Sequence, residues 1–261
     1  MSEYLATPEL IGLDEYSAKK GLYHTAICDL GKREVMEVVE GRGCQKVQAY
    51  LESFSDPDRV KAVAMDMHEP FREAIEMCLP KAKVVVDRFH VIRHVNRVVD
   101  AVRIRLQASS GQVRKSSQLY RRRYSLLKGA EKLANWERPR LTQLFATYPA
   151  LKKAWELKEQ LREWYRLPNR SQAEIRLKSM EQTASRDGLP EFEALHYILT
   201  EWRGEILNYF DHRITNGFVE GKNNRIKTLK RMAYGYRNMA NFRLRILATN
   251  RPARSISPLF T

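Results

Sequence analysis

The first ninety residues alternate between short hydrophobic stretches and turn signals. Ile11 to Leu13 lead into Asp14 and Glu15, and Tyr16 continues the stretch, which predicts a first strand after a loose leader over residues 1–9. Lys19-Lys20-Gly21 reads as a turn, Tyr23 to Asp29 as a second strand, and Leu30-Gly31-Lys32 as a tight turn. Glu34 to Glu40 alternates as a half-exposed strand should, and Gly41 and Gly43 end it. Val47, Tyr50, Leu51 and Phe54 mark a helix, and Ser55 to Asp58 a loop. Val60, Ala62, Val63, Ala64 and Met65 form a near-continuous apolar run ending in Asp66, and Lys83 to Val86 form a second ending in Asp87. Between them Phe71, Ala74, Ile75, Met77 and Cys78 recur at helical spacing, and Pro80 closes that helix. Apolar strands of this kind are buried on both faces, so this stretch predicts a parallel β-α-β unit.

The order is therefore β-β-β-α-β-α-β, three antiparallel strands followed by two parallel ones, which is the ribonuclease-H-like mixed sheet. In that arrangement the first and fourth strands are neighbours, and Asp14 and Asp66 could face each other. Chemistry in open α/β sheets gathers at the carboxyl ends of parallel strands. The plainer alternative is that Asp66 and Asp87 cap the helices that follow them.

From Phe89 to residue 212 the composition is helical and poor in glycine. The expected helices are Phe89–Leu106, Gln112–Leu127, Glu131–Thr147, Leu151–Tyr165, Gln172–Ser185 and Glu191–Phe210, with breaks at Ser109-Ser110-Gly111, Pro149, Leu167-Pro168-Asn169 and Gly188-Leu189-Pro190. Three segments follow: a first part of the core over 10–106, a large all-helical insertion over 107–212, and a last helix with a basic end over 213–250. In that third segment Asn216 is a candidate N-cap. Phe218 or Val219, Ile226, Leu229 and Ala233 form an apolar stripe, and Glu220, Asn224, Lys227 and Arg231 an adjacent polar one.

Charge sharpens this picture. The 261 residues carry a formal net charge of +15, which points to a polyanionic partner, with nucleic acid ahead of a membrane surface. Eleven Lys/Arg stand against Glu131 and Glu137 between Arg103 and Arg140, densest at Arg121–Arg123. From Arg213 to Arg254 eleven basic residues surround the single acid Glu220. That acid either balances Lys227 or Arg231 or helps bind a metal ion beside phosphates. No apolar run approaches the roughly 20 residues that span a bilayer, and the N-terminus has no signal-peptide core. Cys28, Cys44 and Cys78 lack metal-ligand spacing and read as reduced thiols of a cytoplasmic protein. No phosphate-binding G-x-x-x-x-G-K-[ST] loop or G-x-S-x-G elbow occurs, and His90 and His94 lack the glutamate of an H-E-x-x-H zinc site. Two aspartates on adjacent strands and a carboxylate on a later helix can instead hold two Mg²⁺ or Mn²⁺ ions, the arrangement suited to in-line phosphoryl displacement.

The segments I-G-L-D-E-Y-S-A-K-K-G-L-Y-H-T, M-D-M-H-E-P-F, V-V-V-D-R-F-H-V-I-R and T-N-G-F-V-E-G-K-N-N-R-I-K-T-L-K-R-M-A-Y-G-Y-R-N resemble the catalytic region of bacterial DDE transposases of the ISL-three family of insertion sequences, over about residues 10 to 250. The resemblance implies metal-dependent DNA strand cleavage and strand transfer at element ends, with Asp14, Asp66 and Glu220 as the metal-binding catalytic acids. It implies DNA-contacting or supporting roles for Asp87 and its partner His90, and for Asn224, Lys227 and Arg231. It also implies double-stranded DNA (element ends and target) as partner, a homo-oligomer on DNA, and a bacterial, nucleoid-associated location. Family members carry a cysteine-rich zinc-binding segment and helix-turn-helix modules before this core, whereas this chain starts about ten residues before the first strand and has no C-x-x-C pair. On that comparison it is a truncated, split or excised catalytic region. The alternatives are an inactive DNA-binding remnant and a ribonuclease-H-like DNA nuclease.

Overall fold

The computed structural model describes residues 7–19, 21–111 and 117–250. They fall into two compact units, one drawn from 1–87 and 212–261, the other from 88–211.

The first unit is built on five strands, β1 (Leu10–Lys19), β2 (Leu22–Asp29), β3 (Glu34–Glu40), β4 (Ala62–Met65) and β5 (Lys83–Val86), with α1 (Cys44–Leu51) between β3 and β4 and α2 (Glu69–Cys78) between β4 and β5. The sheet order is β3-β2-β1-β4-β5. β1, β2 and β3 pair antiparallel, and β4 lies parallel between β1 and β5. The neighbouring of the first and fourth strands expected from the sequence is thus present. All four residues of β4 are buried, as are Val84 to Val86 of β5, which is why their hydrophobic runs lack alternation. The leader expectation is corrected in part. Pro8 is buried, and the buried Thr7 accepts a hydrogen bond at its hydroxyl from the Asp56 N–H (3.0 Å), so the chain is already packed before β1 begins. On α2, Phe71, Ala74 and Ile75 are buried, but Met77 is exposed. It lies one position off the inward stripe.

The second unit contains helices and, among the described residues, no strand. It runs α3 (Arg88–Ser109), α4 (Gln118–Arg121), α5 (Arg123–Leu127), α6 (Glu137–Thr147), α7 (Pro149–Trp164), α8 (Arg170–Asp187), α9 (Phe192–Glu201), α10 (Arg203–Leu207) and α11 (Tyr209–His212). α3 packs on α7, presenting the buried stripe Val91, Val95, Val98, Val99 and Val102. Three expected long helices are interrupted, the one over Glu131–Thr147 being a 3-10 turn at Ala130–Lys132 followed after a break by α6. The stretch near 118–127 is two short helices, and 191–210 is three pieces, because Trp202 and Asn208 end one turn and start the next. The expectation over 112–116 lies outside the described residues. Part of the basic run is internal: the buried Arg103 is bonded to Asp100 (2.6 Å), Arg123 shares that carboxylate (3.2 Å), and Lys128 holds Glu137 (2.9 Å). Hydrogen bonds from Ser125, the Ala134 N–H and Lys128 hold the Glu137 carboxyl down at about 2.

The chain closes back onto the first unit with α12 (Gly217–Met232) and α13 (Met239–Asn250). α12 lies on β1 and β2, and α13 on β3. Val219, Ile226, Phe242 and Ile246 join Tyr16, Ala26, Cys28, Val35 and Val38 in one buried cluster. Burial pushes the Cys28 thiol up to about 12, so it sits there as a neutral apolar group.

One histidine in this sheet makes the first unit sensitive to pH. His24 is 2 % exposed, and its Nδ1 accepts the Gly41 N–H (3.1 Å), which places the proton on Nε2. Burial lowers its pKa below the ordinary 6.5, with Glu40 opposing weakly. The unfolded chain then binds a proton that the folded chain refuses. Stability is full above pH 6.5 and falls as the pH drops from there to the folded pKa, at no more than about 1.4 kcal/mol per pH unit. Urea unfolding at pH 7.5, 6.5 and 5.5 should show this slope in the wild type, and His24→Gln should flatten it.

Candidate functional site

Asp14 lies on β1, and Asp66 follows the neighbouring parallel strand β4. The parallel register between β1 and β4 sets Leu10 beside Ala62, Ile11 beside Val63 and Gly12 beside Ala64. The ladder stops there, two residues short of Asp14 and Asp66, and β4 ends at Met65. Side chains alternate faces along a strand, so Asp14 shares the face of Gly12. Asp66 is the first residue past β4. Its carbonyl accepts the His68 N–H (2.8 Å), and α2 is capped at His68, so Asp66 is not that helix's N-cap.

The face shared by Gly12 and Asp14 is covered by α12, and the approach is close. A Cβ added at Gly12 would lie 2.5 Å from Val219 Cγ2, 2.8 Å from Leu30 Cδ2 and 2.9 Å from Asn216 Oδ1. Only a residue without a side chain lets the helix seat here. Two buried asparagines then tie it down. Asn216 is the N-cap residue of α12, as its position predicts, but its side chain does not cap the helix. Its Nδ2 donates to the Leu13 carbonyl of β1 (2.5 Å), and its backbone N–H donates to Asp87 Oδ2 (3.3 Å). Asn223, two turns on, donates from Nδ2 to Asp14 Oδ2 (2.8 Å). The Asp14 carboxylate is thus oriented by the helix that carries Glu220.

Glu220 lies in the first turn of α12, four residues after Asn216 and three before Asn223, on the exposed side of the same seam. Asn224, Lys227 and Arg231 are exposed along the helix, with Arg231 Nη2 donating to Thr228 Oγ1 (3.2 Å). Of the expected apolar stripe Val219 and Ile226 are buried, Leu229 is partly buried, and Ala233 is exposed because the helix has ended by Met232. Asp87 is 5 % exposed just past β5, its backbone N–H bonded to the Met65 carbonyl (2.9 Å). His90 is on α3 in the other unit, its ring edge-on to Phe89.

Whether hard cations suit these residues can be judged from the donors. Asp14, Asp66 and Glu220 offer carboxylate oxygens, the ligand type that Mg²⁺ and Mn²⁺ prefer. Asn223 Oδ1 is buried with no hydrogen-bond partner, which leaves an acceptor beside Asp14 for a donor such as a metal-bound water. The residues fit the ions in kind. Among the described residues, however, no three His, Cys, Asp or Glu side chains are gathered closely enough to form a metal cluster.

Asn216 and Asn223 are the site residues that sequence reasoning missed as inward-facing. Their spacing of seven from one another, in phase with Val219 and Ile226, was the available signal. Asparagine's polarity assigns it to the solvent side unless the strand carbonyl and carboxylate it meets are known.

A family model described as a transposase matches residues 11–246. The transposase for insertion sequence element IS1001 of Bordetella parapertussis is 29 % identical over 245 residues, covering 92 % of this chain and 60 % of that protein. The transposase for insertion sequence element IS1557 of Mycobacterium tuberculosis (strain CDC 1551 / Oshkosh) is 23 % identical over 253 residues, covering 87 % of this chain and 57 % of that protein. The chain therefore spans about 60 % of the length of these curated relatives. Among the described residues no helix is long and apolar enough to cross a membrane.

Proposed function

The chain belongs to this ISL3-type transposase family, and from that premise we propose that it is the catalytic region of a DDE transposase, cleaving DNA strands and transferring them at insertion-sequence ends. The observation that carries the reading is the parallel pairing of β1, which bears Asp14, with β4, which ends immediately before Asp66, under a helix that bears Glu220 and is bonded to Asp14 through Asn223. The β-β-β-α-β-α-β order and the sheet order support a ribonuclease-H-like core, with the helical unit inserted between β5 and α12.

Asp14, Asp66 and Glu220 would hold two Mg²⁺ or Mn²⁺ ions. Such ions, when bound, stabilise charge on the attacking and leaving oxygens of a phosphodiester displacement. The chain's own groups do the rest. Asn223 holds Asp14 in one orientation, and Asn216 ties α12, which bears Glu220, to β1. Lys227, Arg231 and the other exposed basic residues of this region neutralise phosphates and position the duplex. Double-stranded DNA is the substrate in this reading. Joining two ends in one reaction calls for more than one copy of the chain on the DNA, in the bacterial cytoplasm at the nucleoid.

A second reading, a DNA-binding chain without catalysis, is favoured by the lack of a gathered three-acid group among the described residues. Supercoiled plasmid separates the two. Incubation with Mg²⁺ or Mn²⁺ should give nicked product that disappears with EDTA and returns when metal is restored. Salt-sensitive DNA binding with no nicking under any metal would leave only the second reading.

A further inference from the structure

The end of α12 carries a feature that the acids and asparagines do not use. The helix stops in a Schellman motif: the Gly235 N–H bonds the Lys230 carbonyl (3.0 Å), and the Tyr234 N–H bonds the Arg231 carbonyl (3.0 Å). In that motif the residue after the cap adopts a left-handed backbone and is usually glycine. Here it is Tyr234, at φ 53°, with the glycine one place later at φ 104°. A tyrosine in that conformation is strained. Its ring recovers nothing from packing, since its relative exposure is 102 %. Met232 beside it is 71 % exposed.

The loop that presents these side chains is anchored on both sides. Tyr236 stacks on the buried Phe242 (centroids 4.3 Å apart, 22° between planes). Asn238 Oδ1 accepts the Asn241 N–H at the start of α13 (3.2 Å). The ring of Tyr234 is therefore held outward by a fixed backbone. Around it in the chain stand Lys227, Arg231 and Arg237, all exposed, and no acidic residue follows Glu220.

We propose that Tyr234, supported by Met232, is a stacking platform for an unpaired DNA base whose flanking phosphates are held by Lys227, Arg231 and Arg237. A strained, fully exposed aromatic ring inside a cationic surface matches a ligand that offers a flat π-face and negative charge together, as an unstacked nucleotide does. Intact duplex keeps its base faces covered, so the platform selects DNA that is already opened or frayed. Tyr234 lies fourteen residues on from Glu220, just past the end of α12, about 20 Å at the rise of a helix, or roughly six base pairs of duplex. The contact is thus offset from the acids, where it would register the DNA without taking part in the chemistry. This inference rests on the DNA-cutting reading above.

The test uses the whole chain without divalent metal, so that it does not depend on catalysis. Two probes are titrated: a fully paired duplex, and the same duplex with one unpaired 2-aminopurine. The wild type should bind the unpaired probe about tenfold more tightly and quench its fluorescence. Tyr234→Ala should lose that tenfold preference with paired-duplex affinity unchanged, and Tyr234→Phe should keep it. Tyr234→Gly should lose the preference while raising Tm, because glycine relieves the left-handed strain, and this separates a lost contact from a damaged fold. Paired-duplex binding with a preference that Tyr234→Ala and Tyr234→Gly both retain would overturn the platform and leave the DNA reading standing. Absence of binding to either probe would overturn both. Tyr234-dependent retention on phosphatidylserine vesicles, with no preference between the DNA probes, would overturn the platform in favour of a membrane surface.

Discussion

Nicking of supercoiled plasmid is expected to fall by about a hundredfold or more when Asp14, Asp66 or Glu220 is changed to its amide, with DNA binding retained. Each amide keeps the shape of the side chain and removes its charge. A hard cation loses a charged ligand at the point where charge develops on phosphate oxygens, and the loss of several kcal/mol of that stabilisation corresponds to two or more decades in rate. The fold should tolerate the changes unequally. Glu220 is exposed, so Glu220→Gln should leave the unfolding free energy within about 0.5 kcal/mol of the wild type. Asp14 accepts the Asn223 amide, and Asp14→Asn keeps an oxygen for that bond while giving up its charge assistance. The measurement is the nicking rate in Mg²⁺ and in Mn²⁺, with DNA affinity and thermal unfolding measured on the same preparations. Wild-type rates in all three variants would remove these residues from the reaction. A loss confined to Asp14→Asn would make the site a structural seam rather than a metal site.

Gly12→Ala is expected to destabilise the first unit by about 1–3 kcal/mol, the range for overpacking a filled interior, and Gly12→Val by more. The added Cβ meets Val219, Leu30 and Asn216 at 2.5–2.9 Å, and of these Val219 and Asn216 are buried, with Asn216 bonded to Leu13. The helix must lift from β1, which loosens the Asn216 bond to Leu13 and the Asn223 bond to Asp14. Nicking should therefore fall together with stability, whereas the Glu220→Gln defect leaves stability intact. Gly221, on the same helix, is the control. Nothing lies within 4 Å of a Cβ placed there, so Gly221→Ala should be neutral or stabilise by up to about 1 kcal/mol, the helix-propensity difference. Chemical denaturation of both variants decides the matter. Equal effects at the two glycines would mean that α12 does not seat on β1 as described.

Much of this molecule was legible in local pattern. The five strands and the two helices between them follow from apolar runs and turn residues, and Asp66 and Asp87 stand out because each ends such a run. Glu220 stands out as the single acid in a basic segment. The helical region was legible as helices but not in its interruptions at Trp202 and Asn208, nor in the internal pairing of Arg103, Arg123 and Lys128. A charge count cannot tell a solvated arginine from one bonded to a carboxylate that lies elsewhere in the chain.

The sequence by itself therefore determined which residues carry charge and which segments form strands and helices, since helical and strand periods are local properties of the chain. Tertiary structure alone decided which faces meet. The parallel pairing of β1 with β4, the bare surface of Gly12 under α12, the inward turn of Asn216 and Asn223, and the strained, outward Tyr234 all depend on partners that are remote in sequence or on the geometry of a helix end. Their energies come from close contact and hydrogen bonding between surfaces brought together only by folding, and no window of neighbouring residues contains them.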